Sequence, residues 1–362
     1  MNNFRSRMLM TRVEGVDCIA VMNAQQPFVD STFHYLTENQ SGSFENCLLL
    51  IFPEGRIDVI VSSMEVNSAR QGKGNIHVYS TLKEREGLMK ELLEGVKRIG
   101  VNSSSVTMRN AESLQKMIPS VELVDVSEAI ASTRSIKDRS EIESIRKACK
   151  ITSRVAQNIP EFLKDGLTEK EVRNIIDMKL REKGGDGNAF NTIVAFAENA
   201  SEPHHEPQDR ALKIGDVALF DFGCTYEGYC SDLTRTLFRG VPTSRLSRAY
   251  ETVRKAKIEG MSMIKAGVKA SDVDMAARRV IDESEFEGLF IHSFGHEIGI
   301  NVHDGGSISR KSNLVLQENM VVSAEPGIYI EGLGGIRIED TVLILEDGCE
   351  ALTDFDQSLT VI

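Results

Sequence analysis

Short apolar runs alternate with amphipathic stretches along the first third of the chain. A short apolar run occupies 17–22 behind Asp17, and the runs 47–52 and 57–61 flank Pro53-Glu54-Gly55, a pattern that predicts two strands joined by a tight turn. An amphipathic stretch over 88–99 and a strand-like run over 121–126 continue the alternation and predict an α/β layer. The composition then turns polar over 133–139, which reads as a linker and sets a domain boundary near 133, giving domains 1–133 and 134–362. Ser140-x-x-Glu143 reads as a capping box that opens a helix. Ile142, Ile145, Cys149, Thr152, Val155 and Ile159 recur at helical spacing, and the helix should end before Pro160. A second capping box, Thr168-x-x-Glu171, predicts a helix running to about Lys183, ahead of Gly184-Gly185. Two more helical stretches, about 246–266 and 271–283, are separated by Gly267; elsewhere beyond residue 190 the informative residues lie on strands and loops.

Length and composition narrow the class. A chain of 362 residues is longer than one core usually serves, so two folded domains are expected. Apolar residues make up 41% and charged residues 27%, which excludes a disordered or fibrous chain. The net charge of -12, with no basic cluster interleaved with aromatics, argues against nucleic acid as a partner. No apolar run approaches the roughly 18 residues that span a bilayer, and residues 1–10 lack a leader's apolar segment, so a cytoplasmic protein without membrane contact is expected. The six cysteines are scattered without a CxxC pair and read as reduced thiols. Cys224 and Cys230 are placed to face each other across a hairpin, but read better as two small half-buried residues.

The candidate chemistry lies in the second part. Asp221 closes an apolar strand, and after a turn at Glu227-Gly228 a second strand brings Asp232, so a hairpin can set the two carboxylates side by side. Farther on come Phe294-Gly295-His296-Glu297, Ala324-Glu325-Pro326-Gly327 and Arg337-Ile338-Glu339-Asp340. The aspartate pair alone is weak evidence of a metal site, and Glu325 or Glu339 taken singly is better explained by a structural salt bridge. Four carboxylates and one imidazole together are what two divalent ions need.

In that order and within those motifs, Asp221, Asp232, His296, Glu325 and Glu339 resemble the five ligands of the metallopeptidase family that includes prolidase, aminopeptidase P and methionine aminopeptidase. The resemblance covers roughly 134–362, and the preceding α/β third is similar in length to the N-terminal domain of the creatinase and prolidase branch. It implies an α/β fold overall: a creatinase-like N-terminal domain followed by a pita-bread α+β catalytic domain with a curved, mostly antiparallel sheet. It also implies two divalent metal ions, Mn or Co with Zn also compatible, small proline-containing peptides as substrates, and a homodimer. In such an enzyme Glu325 moves the proton from the nucleophile toward the leaving nitrogen. Pro203-His204-His205 and Val302-His303-Asp304 match the positions of two non-ligand histidines, of which His303 would contact the oxyanion and His204 orient the substrate; whether His205 takes part is open. Thr234, Arg337 and Asp340 are the groups expected to hold the ligands in place.

The chain departs from the family at three places. Glu297 replaces the usual glycine after the ligand histidine, and is expected to alter the entrance or bind an amine. Glu198 and Glu202 add acids to the loop before His204, where a solvated loop competes with capture of a substrate ammonium. The run after His303 lacks the arginine that many dipeptidases use on a substrate carboxylate, with Arg310 or Lys311 as substitutes. A Xaa-Pro dipeptidase is favoured, with Xaa-Pro aminopeptidase as the alternative. Methionine aminopeptidase is disfavoured by the long N-terminal domain, creatinase by the complete ligand set, and a catalytically inactive binding homologue by the retained histidines.

Overall fold

The computed structural model describes residues 4–362, which form two compact units dividing after Arg134. In the first unit six strands make one mixed sheet: β1 (Cys18–Met22), β2 (Leu48–Ile51), β3 (Ile57–Ser62), β4 (Asn75–Tyr79), β5 (Arg98–Val101) and β6 (Glu122–Asp125), in the order β4-β3-β2-β1-β5-β6. The β2–β3 turn at Pro53-Glu54-Gly55 closes through Gly55 at a φ of 82°, a conformation that favours glycine. The run 88–99 is not one helix. The helix Leu82–Leu92 ends there, the chain reverses through Gly95 at φ 78°, and β5 begins at Arg98. Its apolar residues alternate between a helix face and a strand, which periodicity alone cannot separate.

The polar stretch 133–139 is not an exposed linker. Thr133, Arg134, Ser135 and Lys137 are all buried, and the helix Ser127–Ser135 runs into it. Polarity stands for exposure only when side chains lack internal partners, and here Arg134 donates to the Thr32 hydroxyl at 3.2 Å.

The second unit is built from short antiparallel pairs: β7 (Gly187–Asn188), β8 (Ile193–Phe196), β9 (Val217–Phe222), β10 (Cys224–Tyr226), β11 (Tyr229–Cys230), β12 (Leu233–Phe238), β13 (Gly295–His296), β14 (Ser307–Ile308), β15 (Val321–Ala324), β16 (Gly327–Ile330), β17 (Gly334–Arg337), β18 (Asp340–Ile344) and β19 (Cys349–Ala351). Strand alternation sorts the cores. Ala218, Phe220 and Phe222 of β9 pack against the helices Arg139–Gln157 and Glu169–Glu182, while Val217 and Leu219 face the helices Ser244–Met263 and Ala270–Asp282. Cys224 and Cys230 are both buried and unbridged. No helix among the described residues is long and apolar enough to cross a membrane.

The helix Arg139–Gln157 begins two residues earlier than its Ser-x-x-Glu pattern suggests. Asp138 is the cap: its carboxylate accepts from Glu141 N at 3.0 Å, and Glu141 accepts from Asp138 N at 2.9 Å. Ser140 only donates to that carboxylate, at 2.6 Å. Pro160 does not stop the chain but starts the short helix Ile159–Phe162, in the first turn where no N–H is required. Asp138→Ala is therefore expected to lower unfolding stability by about 1 kcal/mol and Ser140→Ala by clearly less. Urea denaturation of the two variants checks the order.

Candidate active site

Strand pleating decides which acids meet. Asp221 of β9 pairs with Thr234 of β12, and Asp232, two residues before Thr234, lies on the same face. Ala324 pairs with Asp340 across β15 and β18, so the next residues outward, Glu325 and Glu339, also lie opposite each other. Glu339 N donates to Thr234 O at 3.0 Å and joins the two hairpins. His296 enters from β13, its N–H donating to Ser323 Oγ at 2.9 Å. Gly295 permits this approach: a Cβ there would lie 2.0 Å from Ser323 O.

Donor atoms of Asp232, His296 and Glu339 lie within 4.8 Å of one another. His296 Nε2 is 3.3 Å from Glu325 Oε1 and 3.6 Å from Asp232 Oδ2. Oδ1 of Asp221, Oδ1 of Asp232 and Oε1 of Glu339 are buried without a hydrogen-bond partner. The guanidinium of Arg337 is set among these acids: it pairs with Asp221, donates to Thr234 Oγ1 at 3.0 Å and donates to Tyr329 OH at 2.8 Å. Thr234 in turn donates to Glu339 Oε2 at 2.5 Å. One guanidinium against four carboxylates leaves the cluster with excess negative charge. Burial, reinforced by the neighbouring carboxylates, holds Asp232 and Glu339 far above the usual carboxylate range. Burial likewise lifts Glu325 to about 7, with Arg337 opposing. These orphaned oxygens beside an imidazole fit divalent cations, which would satisfy the acceptors and cancel the charge.

The cavity above the acids has a volume of about 320 Å³, walled on its apolar sides by Phe190, Ile193, Pro203 and Val302. His204 and His303 both line it, and His303 stands edge-on to His296 with ring centroids 4.1 Å apart. Burial, then the neighbouring His296, pulls the His303 imidazole down, so it is neutral at pH 7. His205 points elsewhere, buried against Glu169 at 2.8 Å. The carboxylate of Glu169 also accepts from Phe196 N, Asn199 Nδ2 and Gln208 N, fixing the loop that carries His204.

Two family models match: the Creatinase/Prolidase N-terminal domain over residues 7–136 and Metallopeptidase family M24 over 143–346. The chain belongs to metallopeptidase family M24. It is 35% identical to an uncharacterized peptidase of Staphylococcus saprophyticus over 89% of this chain and 92% of that one. Among solved structures it is similar to an X-Pro aminopeptidase from Thermotoga maritima, with TM-score 0.90, 30% identity and coverage of 98% and 99%. It is similar too to a Xaa-Pro dipeptidase from Bacillus anthracis, with TM-score 0.92, 29% identity and 99% of both chains covered. The architecture of this M24 peptidase is thus that of the prolidase structures, a creatinase-type domain followed by the pita-bread catalytic fold, and the family implies use of a divalent metal.

Several expected residues sit differently from their motifs. Asp340 projects from the opposite side of its strand to Glu339, onto Arg235 and the ammonium of Lys257, which burial pulls down to about 8. It is joined to the site through Arg235, which also donates to Glu339 O, and through Thr353 and Thr341, whose hydroxyl accepts from Asp232 N at 3.0 Å. Glu297 is buried and does not line the cavity: it is 2% exposed, and its carboxylate accepts from Gly306 N at 3.2 Å. Glu198 pairs with Arg210 at 3.2 Å and Glu202 is exposed; neither lines the cavity. Arg310 and Lys311 line a neighbouring cavity of about 510 Å³ that meets the first at His292 and Ser293.

His292 and Tyr329 were not anticipated. His292 Nε2 lies 2.9 Å from Tyr329 OH and Nδ1 lies 2.8 Å from Ser293 O, while burial, then Arg337, pushes its pKa down to about 3. A neutral ring with its proton on Nδ1 satisfies both contacts and lets the phenol donate to Nε2. The available signal was the clustering of five of the seven histidines between 204 and 303, which includes His292.

The raised pKa of Glu325 makes a directional claim about stability. Between about 4.5 and 7 the native carboxyl keeps a proton that the unfolded chain has released, so raising the pH through that window favours unfolding. In metal-free protein Glu325→Gln should therefore gain stability over the parent as pH rises from 5 to 8. With its side chain 16% exposed, the gain should reach about 2 kcal/mol. Denaturation of both proteins at each pH measures it, and a constant difference would contradict the charge account.

Proposed function

We infer that this M24 peptidase hydrolyses the bond before proline in small peptides, with a Xaa-Pro dipeptide as the favoured substrate. The observation that carries this reading is the set of orphaned buried oxygens of Asp221, Asp232 and Glu339 beside His296, opening into a cavity of about 320 Å³ with apolar walls. Asp221, Asp232, His296, Glu325 and Glu339 would hold two divalent ions, Mn or Co ahead of Zn, which when bound supply Lewis acidity and lower the pKa of water toward neutrality.

The chain's own residues supply the rest. Phe190, Ile193 and Val302 offer apolar surface to a pyrrolidine ring, and His204 orients the substrate from its loop. A neutral His303 can donate a hydrogen bond to the oxygen that gains charge in the transition state. Glu325, whose proton affinity lies near neutrality, is suited to accept a proton from attacking water and deliver it to the leaving nitrogen. Arg337 and Thr234 keep Asp221 and Glu339 from turning away.

A second reading, Xaa-Pro aminopeptidase, draws on a separate observation. The cavity adjoins the one lined by Arg310 and Lys311 and another of about 570 Å³ that shares Phe190, Ile193 and His204, so a longer peptide has room to extend. Chelator-stripped protein refilled with Mn or Co and given Xaa-Pro beside Xaa-Pro-Xaa separates the two. Proline release from the dipeptide is expected to dominate. Faster cleavage of the tripeptide would establish the aminopeptidase, and no turnover of either with any metal would remove the peptidase reading. His303→Ala should retain metal binding while losing kcat by about 100-fold.

A further inference from the structure

A buried cluster beneath the cavity takes no part in the scheme above. The side chain of Lys137 is 0% exposed; its ammonium donates to Ser135 O at 3.1 Å and stands 3.9 Å from Glu297 Oε2 and 3.8 Å from Asp304 Oδ2. Its backbone N–H donates to Asn319 O at 3.0 Å, tying it to the turn before β15. Glu297 and Asp304 are the residues that directly follow His296 and His303. They close the intervening loop, with Asp304 N donating to Glu297 O at 2.9 Å, Gly306 N to Glu297 Oε1 at 3.2 Å and Asn301 N to Asp304 Oδ1 at 3.2 Å. Asp304 Oδ2 folds so closely over Gly299 that a Cβ there would lie 2.1 Å away. Two carboxylates buried together repel unless a cation stands between them, and this one stands between the two ends of the loop that presents His303.

We propose that Lys137 is a positioning residue: its ammonium draws Glu297 and Asp304 to one point and so holds the imidazole of His303 against His296 at the cavity wall. Without it the acids separate toward solvent, the loop opens and His303 leaves its place. This extends the role given to His303 in the proposed hydrolysis and rests on that reading for its consequence in rate, but not for the geometry.

The test therefore has a readout that needs no turnover. Imidazole nitrogen signals in long-range 1H–15N spectra of metal-free protein, with His303 assigned from a His303→Asn spectrum, report the ring's surroundings. Lys137→Met is expected to shift the His303 signals and leave those of His204, and in the metal-loaded protein to lower kcat by about 100-fold with KM changed less than about threefold. Lys137→Met/Glu297→Gln/Asp304→Asn, which keeps the loop's backbone hydrogen bonds but removes the repulsion, should bring back both the signals and most of kcat. If Lys137→Met does not fold, Lys137→Gln stands in with a smaller shift in the same direction, and Lys137→Arg should keep the parent's His303 signals. A Lys137 variant that loses thermal stability while His303 signals and kcat stay as in the parent would overturn the proposal, as would a triple variant whose His303 signals remain displaced. Should the parent protein cleave no proline peptide, the hydrolase reading fails while the His303 shift still decides this one.

Discussion

Mutual repulsion among Asp221, Asp232, Glu325 and Glu339 is the constraint to which the catalytic unit answers. Buried carboxylates without counterions would normally drive apart or remain protonated, and the burial that lifts Asp232, Glu325 and Glu339 above the usual range records that tension. The fold resists it by hydrogen bonding: Asp221 lies within β9, while Asp232, Glu325 and Glu339 lie one residue beyond the ends of β12, β15 and β18, and Arg337 with Thr234 ties the two strand pairs together. The site keeps its geometry before any cation arrives. A preformed set of acceptors would lose little ordering entropy on binding a cation.

Opposite faces of the same strands carry opposite duties. Glu339 faces the cavity with an orphaned oxygen, while Asp340, next in sequence, is fully partnered by Arg235, Lys257 and Thr353. A one-residue slip of β18 would exchange the cavity-facing acid for the ion-paired one. The buried Arg235 and Lys257 therefore do more than neutralise Asp340: turning that carboxylate to the other face would take the acceptor from two desolvated cations, which penalises a slipped register.

Strand-borne parts of the site were legible in the sequence because acids interrupt apolar runs there, and a carboxylate at the end of such a run demands a partner. Turn chemistry was legible for the same reason of local cause, as at Gly55 and at Thr168 with Glu171. What sequence pattern could not settle was decided by distant partners. Thr133 to Lys137 looks like a solvated linker until Thr32 and the buried carboxylates are seen across from it; Glu297 looks like an entrance group until Gly306 turns its N–H inward; His204 and His205 are adjacent and chemically equal until Glu169 claims one of them. The cap of the helix Arg139–Gln157 fell to Asp138 rather than Ser140 although both spacings were present, since a carboxylate accepts the N–H more strongly than a hydroxyl.

His204 and His303 pose a harder problem than the acids at the strand ends, since both ride on loops. Each loop is governed by buried carboxylate chemistry: Glu169 gathers four donors beneath His204, and Glu297 with Asp304 closes the loop of His303. A carboxylate that accepts several hydrogen bonds in a dry setting tolerates little displacement, because each lost bond leaves a buried polar group unpaired. Loop residues thereby acquire a precision close to that of the strands. The same device leaves the tips, His204 and His303, exposed while their bases stay fixed, the combination that the proposed orientation of a peptide would require.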